Sequence, residues 1–188
     1  MPQAAAMRKL TNSTYITLDG VIQDPQDWPS LGSGDSRGLT IQTELLLSCE
    51  VQIMGRRTYE GFAAVWPTRS GDPYSDHINA MRKLLFSSRI VEPSWNNTAV
   101  IVEDPVQAVR ELKGQDGGDI VQYGFGHLAS QLLAAGLMDE LRLWVHPLFI
   151  GRGGPEALLY RDSVTARLNL AATTALEGGI VILTYTKA

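Results

Sequence analysis

Short apolar runs, each closed by a glycine or a polar turn, alternate along this chain with stretches of helical spacing, and that alternation limits the fold more than any other feature. Residues 9–18 read as a strand, 39–49 as a helix, 51–54 as a strand and 57–64 as a helix. The order continues with a helix at 74–81, strands at 83–86 and 99–102, a helix at 105–113, a strand at 119–123 and a helix at 125–135. Pro105 suits a first helical position behind Asp104 as cap, and Gly136 suits the left-handed residue that ends a helix. The last third differs. Leu141, Leu143 and Val145 alternate with Arg142, Trp144 and His146, and residues 166–176 and 179–186 are β-type runs with no helix between them.

Parallel strands need long crossovers, and helices in those crossovers cover both faces of the sheet, so each strand can be apolar throughout. A helix-free end adds antiparallel strands at one edge. The expectation is an α/β fold over residues 1–188 as a single domain, with residues 1–7 a flexible tail. Three layers, α/β/α, would enclose a mostly parallel mixed sheet of about eight strands. Gly/Ser/Asp clusters at 30–38, 68–73, 113–118 and 151–155 read as surface loops. Ligands of such sheets bind beyond the carboxyl ends of the strands. The loops after Leu18, Met54, Phe86 and Tyr123 are therefore where chemistry is expected.

Composition narrows the function. Hydrophobic residues at 44% and charged residues at 19% of 188 supply a core and exclude disorder. A net charge of −4, with the 16 Lys and Arg scattered, excludes nucleic acid as a partner. No apolar run approaches the roughly 18 residues of a membrane helix, and no charged leader precedes one, so the expected location is the cytoplasm, away from membranes. The single cysteine, Cys49, excludes an internal disulfide, and His77, His127 and His146 show no metal-ligand spacing, so no metal is expected. Cys49 has no histidine beside it in sequence, and no Gly-x-Ser-x-Gly elbow points to hydrolysis.

Four segments carry chemistry. Gly124-Phe125-Gly126-His127-Leu128-Ala129 follows the strand that ends at Tyr123 and fits G-x-G-x-x-G/A, a turn whose N–H groups approach a diphosphate at a helix start; a plain tight turn is the other reading. The acidic residue that usually follows about 20 positions on is missing, since Asp139 and Glu140 come too early and read as caps of the next strand. Gly55-Arg56-Arg57-Thr58 brings a hydroxyl and two guanidinium forks to the end of another strand; a solvated helix start with Arg57 paired to Glu60 is the alternative. Ser87-Ser88-Arg89 suits a phosphate monoester, or an ordinary polar loop. Asp19, in Thr17-Leu18-Asp19-Gly20, either orients a ligand at the sheet's mouth or simply makes an Asp-Gly turn. Taken together, these turns suit a dinucleotide with an extra ribose phosphate.

In this order the segments resemble the dihydrofolate reductase superfamily, and within it the reductase domain at the C-terminus of bacterial bifunctional riboflavin-biosynthesis deaminase-reductases. The likeness runs from about residue 8 to residue 185 and is most specific at Thr17-Leu18-Asp19-Gly20, at Met54-Gly55-Arg56-Arg57-Thr58-Tyr59-Glu60, and at 136–141 followed by Pro147 and Gly151-Arg152-Gly153. The resemblance implies NADPH as cofactor, held by Leu18, Gly20, Gly55, Arg56, Arg57, Thr58, Ser87, Ser88, Arg89, Tyr123, Gly124, Phe125, Gly126 and His127. It implies hydride transfer to a small heterocyclic substrate, as in 5-amino-6-(5-phosphoribosylamino)uracil reductase. Glu44 on the first helix is the nearest candidate for the substrate-binding carboxylate, with a solvent-facing side chain as the other reading, and Trp66 and Trp28 either pack or stack on a flat ring. Asp19 is the candidate catalytic residue, with the proton coming either from water or from Asp19, which would need a raised pKa in an enclosed cleft. Tyr123 stands where riboflavin-pathway reductases carry an acidic residue. A dihydrofolate reductase proper and a non-catalytic nucleotide-binding protein are the competing readings. Trp144, Phe149 and 180–183 are expected to pair two subunits as a homodimer.

Overall fold

The computed structural model describes residues 7–31 and 36–188. An eight-stranded sheet runs in the order β4-β3-β2-β5-β1-β6-β8-β7. Its strands are β1 (Leu10–Thr17), β2 (Cys49–Gly55), β3 (Arg82–Phe86), β4 (Thr98–Ile101), β5 (Asp119–Tyr123), β6 (Glu140–His146), β7 (Leu168–Ala175) and β8 (Val181–Lys187). The first six strands pair in parallel, and β8 runs antiparallel to both β6 and β7. The expected parallel sheet with an antiparallel end is the fold.

Helices α1 (Ser36–Leu47), α2 (Arg56–Ala63) and α3 (Pro73–Ala80) cover one face; α4 (Pro105–Lys113) and α5 (His127–Ala134) cover the other. Period-two alternation in β2 divides the core: Met54 packs with Leu45, Leu46, Ile78 and Leu85, while Val51 and Ile53 pack with Val109, Leu112, Leu128 and Leu132. Asp104 caps α4 by accepting from Gln107 N at 2.9 Å. At the end of α5, Gly136 has φ +66°, and Leu137 N donates to Leu132 O at 2.9 Å, a Schellman closure that only a residue tolerant of positive φ forms cheaply.

Several expected boundaries move by one to three residues, and two of the shifts have a direct physical reason. The first helix stops at Leu47 because Cys49 pairs with Asp119 as the start of β2, while the Ser48 hydroxyl turns back to Leu45 O at 2.7 Å. The last helix starts at His127, two residues late, because Gly124 has φ +74° and Gly126 is extended. Of the expected loop at 30–38, residues 32–35 lie outside the described residues and 36–38 are instead the first turn of α1; residues 1–6 of the expected tail also lie outside the described residues, and Met7 is exposed. Trp144 and Ile182, expected at a subunit interface, are instead buried with Leu176 in the chain's own core, and Phe149 is left exposed.

Candidate active site

Parallel order places the carboxyl ends of β2, β3 and β5 side by side. Gly55 is level with Phe86 across the β2–β3 pair, so the Gly55–Thr58 turn has Ser87–Arg89 on one side and Tyr123–His127 on the other. The Thr58 hydroxyl lies 3.8 Å from where a side chain on Gly124 would begin. The turns expected to share a ligand therefore converge on one rim.

Both helices that start on this rim, α2 and α5, have glycine as N-cap and no capping side chain. Their first N–H groups lack intrahelical partners and carry the positive ends of the helix dipoles. Arg56 pairs with Glu60 at 2.8 and 3.0 Å, so it is Arg56, not Arg57, that makes the surface ion pair. Arg57 stays exposed at the helix start, where a cation opposes the dipole unless an anion joins it. The Ser87 hydroxyl accepts from Arg89 N and Ile90 N at 3.1 Å, shaping a turn that leaves Ser88 and Arg89 exposed beside the end of β2, from which α2 starts. Gly55 and Gly126 have φ of −85° and −88°, and a Cβ on either would meet no atom within 4 Å. Neither glycine is required by strain or packing, and both leave the rim open to backbone approach.

The β5 turn is fixed from behind. Gly124 N donates to Ser13 O at 3.1 Å, and buried Asn12 donates to Gly124 O at 2.9 Å. Phe125 buries its ring, so only its backbone reaches the rim, while His127 is exposed at the start of α5. Tyr123 faces the α1–α3 layer, with its hydroxyl 3.2 Å from Tyr74 and its ring 5.5 Å from Phe62. Burial holds the Tyr123 phenol well above its usual pKa, so it is neutral and contributes no charge. Asp139 and Glu140 sit at the opposite edge, where Asp139 accepts from Leu10 N at 2.7 Å and Glu140 from Lys9 at 2.6 Å.

β1 continues four residues beyond its last pairing with β5, from Ser13 to Thr17 against β6. At a rise of about 3.3 Å per residue this makes a wall about 13 Å tall beside the turns. On its crest Asp19 accepts from Thr17 Oγ1, from Ile150 N at 3.1 Å and from Gly151 N at 2.7 Å. Hydrogen bonds first from Thr17 and then from Gly151 hold its carboxyl below the usual range, and the residue is half-buried. A proton donor needs the opposite shift, and these bonds tie the turn after β1 to the segment that follows β6. Gly20, with φ +84°, closes the turn, and Leu18 projects into solvent while its N–H donates to Leu148 O at 2.9 Å.

Against the α1 side of the wall lies an open recess of about 340 Å³, lined by Tyr15, Trp28, His146 and Ile180 among others. Trp28 meets His146 edge-on at 5.2 Å, and Tyr15 lies 4.9 Å from the same imidazole. His146 Nδ1 donates to Trp144 O at 2.8 Å, since a carbonyl only accepts, which leaves Nε2 as an acceptor in the neutral ring. Burial pulls the His146 pKa down and favours that neutral form. Behind the recess, Trp144 Nε1 donates to Ser13 Oγ at 3.0 Å, Ser13 to Gln42 at 3.3 Å, and Gln42 Nε2 to Tyr15 at 3.4 Å.

Glu44 does not face this recess. Two positions from Gln42 is about 200° around a helix, so burying Gln42, with Leu45 and Leu46, turns Glu44 to solvent. The buried i, i+3, i+4 pattern in α1 was the signal that would have picked Gln42. Trp66 is half-buried and packs 5.0 Å from Tyr74, with Arg69 over its ring at 5.1 Å, so it joins the Tyr74–Tyr123 cluster behind the β5 end. Cys49 is buried with its thiol pushed up to about 11, an inert state.

The RibD C-terminal domain model matches residues 8–182. The chain belongs to that family. It is a family of reductase domains of the riboflavin-biosynthesis type, which makes an oxidoreductase the general class. The chain is 28% identical to an uncharacterised protein, YyaP, of Bacillus subtilis, over 95% of this chain and 94% of that one. Its fold matches a putative riboflavin biosynthesis protein from Shewanella sp. PV-4 with TM-score 0.72 and 17% identity, covering 96% and 99% of the two chains. It also matches a Thermotoga maritima deaminase/5-amino-6-(5-phosphoribosylamino)uracil reductase with TM-score 0.64 and 15% identity, covering 97% of this chain and 57% of that one. No helix among the described residues is long and apolar enough to cross a membrane, and no group of three or more His, Cys, Asp or Glu among them is placed to hold a metal.

Proposed function

We propose that this RibD C-terminal domain protein is an NADPH-dependent reductase that reduces a C=N or C=O carbon of a small heterocycle. The observation that carries this reading is the convergence on one rim of two uncapped helix starts, two cradle glycines and the exposed Arg57 and Arg89. A bound NADPH would supply the hydride, and the chain supplies binding and orientation. Gly55, Arg56, Arg57 and Thr58, with Gly124, Phe125, Gly126 and His127, take the diphosphate. Ser87, Ser88 and Arg89 take the adenosine 2′-phosphate. Leu18 and Gly20 border the nicotinamide end, and Tyr123 and Trp66 back the wall between the two.

The recess of Tyr15, Trp28 and His146 takes the ring to be reduced. His146 Nε2 accepts from a ring N–H, and the aromatic faces hold the ring flat. The buried polar group that α1 offers there is the neutral Gln42. A dihydrofolate reductase would place a carboxylate there to bond the pteridine, so a neutral heterocycle such as a ribosylamino-pyrimidine fits better. Asp19 holds the loops that border this recess, and the balancing proton comes from water. The free edge of β7, exposed along most of its length, supports a homodimer, and a cytoplasmic location belongs to the same proposal.

The test is direct. NADPH and NADH are titrated into the protein while nicotinamide fluorescence is followed, then dihydrofolate and the ribosylamino-pyrimidine are added and cofactor oxidation is read by absorbance. Tight NADPH binding, weaker NADH binding and oxidation by the pyrimidine are expected. Cofactor bound without oxidation by either compound would make the protein a binder and not a reductase.

A further inference from the structure

We infer that Arg161, a residue far from the glycine motifs in sequence, is a positioning residue that aims the β5 turn at the cofactor's diphosphate, an inference that rests on the function proposed above. Arg161 reaches across from the loop between β6 and β7, and its Nη2 donates to Phe125 O at 2.6 Å. The same guanidinium donates to Tyr160 O at 2.7 Å and to Leu158 O and Glu156 O, so it knits its own loop into a rigid arm. That arm is also fixed to the β1 turn: Leu159 N donates to Gly20 O at 2.9 Å and Ile22 N to Ala157 O at 2.8 Å.

Peptide geometry converts these contacts into a direction. In a planar trans peptide the C=O of one residue and the N–H of the next point opposite ways. Arg161 draws the Phe125 carbonyl toward itself, so the Gly126 N–H points away from Arg161. Asn12, holding Gly124 O from beneath, turns the Phe125 N–H outward by the same rule. Two consecutive N–H donors are thus set from behind by side chains on other elements, next to the uncapped start of α5. Arg161 donates to the neutral main-chain carbonyls of Phe125, Tyr160, Leu158 and Glu156 and forms no ion pair among the described residues, and Arg57 is near enough to be felt electrostatically. An anion between the two guanidinium groups relieves that repulsion.

The experiment compares R161Q with the natural protein in binding NADPH and adenosine 2′-phosphate, which lacks the diphosphate bridge. R161Q is expected to raise the Kd for NADPH about tenfold, by the loss of one charge-assisted contact and its orienting effect, while leaving adenosine 2′-phosphate within twofold. In amide spectra, the Gly126 signal should move on NADPH addition in the natural protein and much less in R161Q. Should R161Q fail to fold, R161K is measured in its place. An unchanged Kd for NADPH in the variant overturns the role of Arg161 and leaves the cofactor assignment standing. Equal weakening toward both ligands marks a general structural effect and also overturns it. A natural protein that does not bind NADPH at all overturns the cofactor assignment and this inference together.

Discussion

The rim made by β2, β3 and β5 and the recess against β1 and β6 lie at the same edge of one sheet, yet they are built from opposite chemistry. The rim presents backbone N–H groups, glycines that leave open space and exposed arginines. The recess presents aromatic rings and a neutral imidazole with a buried amide behind them, and none of the described side chains that line it is acidic. Parallel strands explain the first: β2 and β5 each end in a helix start, and helix starts attract anions. The second follows from β6 pairing with an antiparallel β8, which needs no crossover helix, so side chains alone shape that wall. A charged, flexible molecule with a flat end suits both surfaces at once.

The largest expected break in this contrast comes from the glycines. G55A and G126A should each raise the Kd for NADPH about a hundredfold, because a Cβ fills the space the diphosphate needs. Stability should change by under about 1 kcal/mol, since neither position has positive φ and only the N-cap preference is affected. Paired fluorescence titration and thermal melts check this. A melt that falls with the Kd would reduce these glycines to turn-formers.

R57Q should weaken NADPH about tenfold at low salt and by less at high salt, because an exposed cation acts through a screened field. The recess should not register this change, so the KM for the reducible substrate stays constant in R57Q. A matching rise in that KM would mean that the two surfaces are not separate.

The smallest effect sharpens the recess. The His146 pKa is held below its usual value, so the unfolded chain takes up a proton near pH 6.5 while the folded chain resists it. Stability contributed by neutral His146 is full above that pH and is lost as pH falls below it. H146Q should therefore show a flatter dependence of Tm on pH between 7 and 5 than the natural protein. Parallel curves would place the acid sensitivity elsewhere.

The glycine turns, the cap at Asp104 and the closure at Gly136 were legible because each is a local demand: a backbone angle or an orphan donor that few residue types satisfy. The alternation of runs set the three-layer class for the same reason, since period and turn chemistry act over a few residues. Glu44 stayed undecided between ligand and solvent because its role depends on which face of α1 is buried, and that is decided by Tyr15, Ser13 and Trp144 on other strands. Arg161, Asn12 and the ionised state of Asp19 were not legible for the same cause. Arg161 meets Phe125 across 36 positions, Asn12 meets Gly124 across 112, and Asp19 meets Gly151 across 132. The sequence by itself determined where the chain turns and which turns can meet an anion, because those properties reside in a few consecutive residues. Only the tertiary structure decided which carbonyls are held, which carboxyl stays charged and which helix face looks inward, because each depends on a partner brought near by the sheet order.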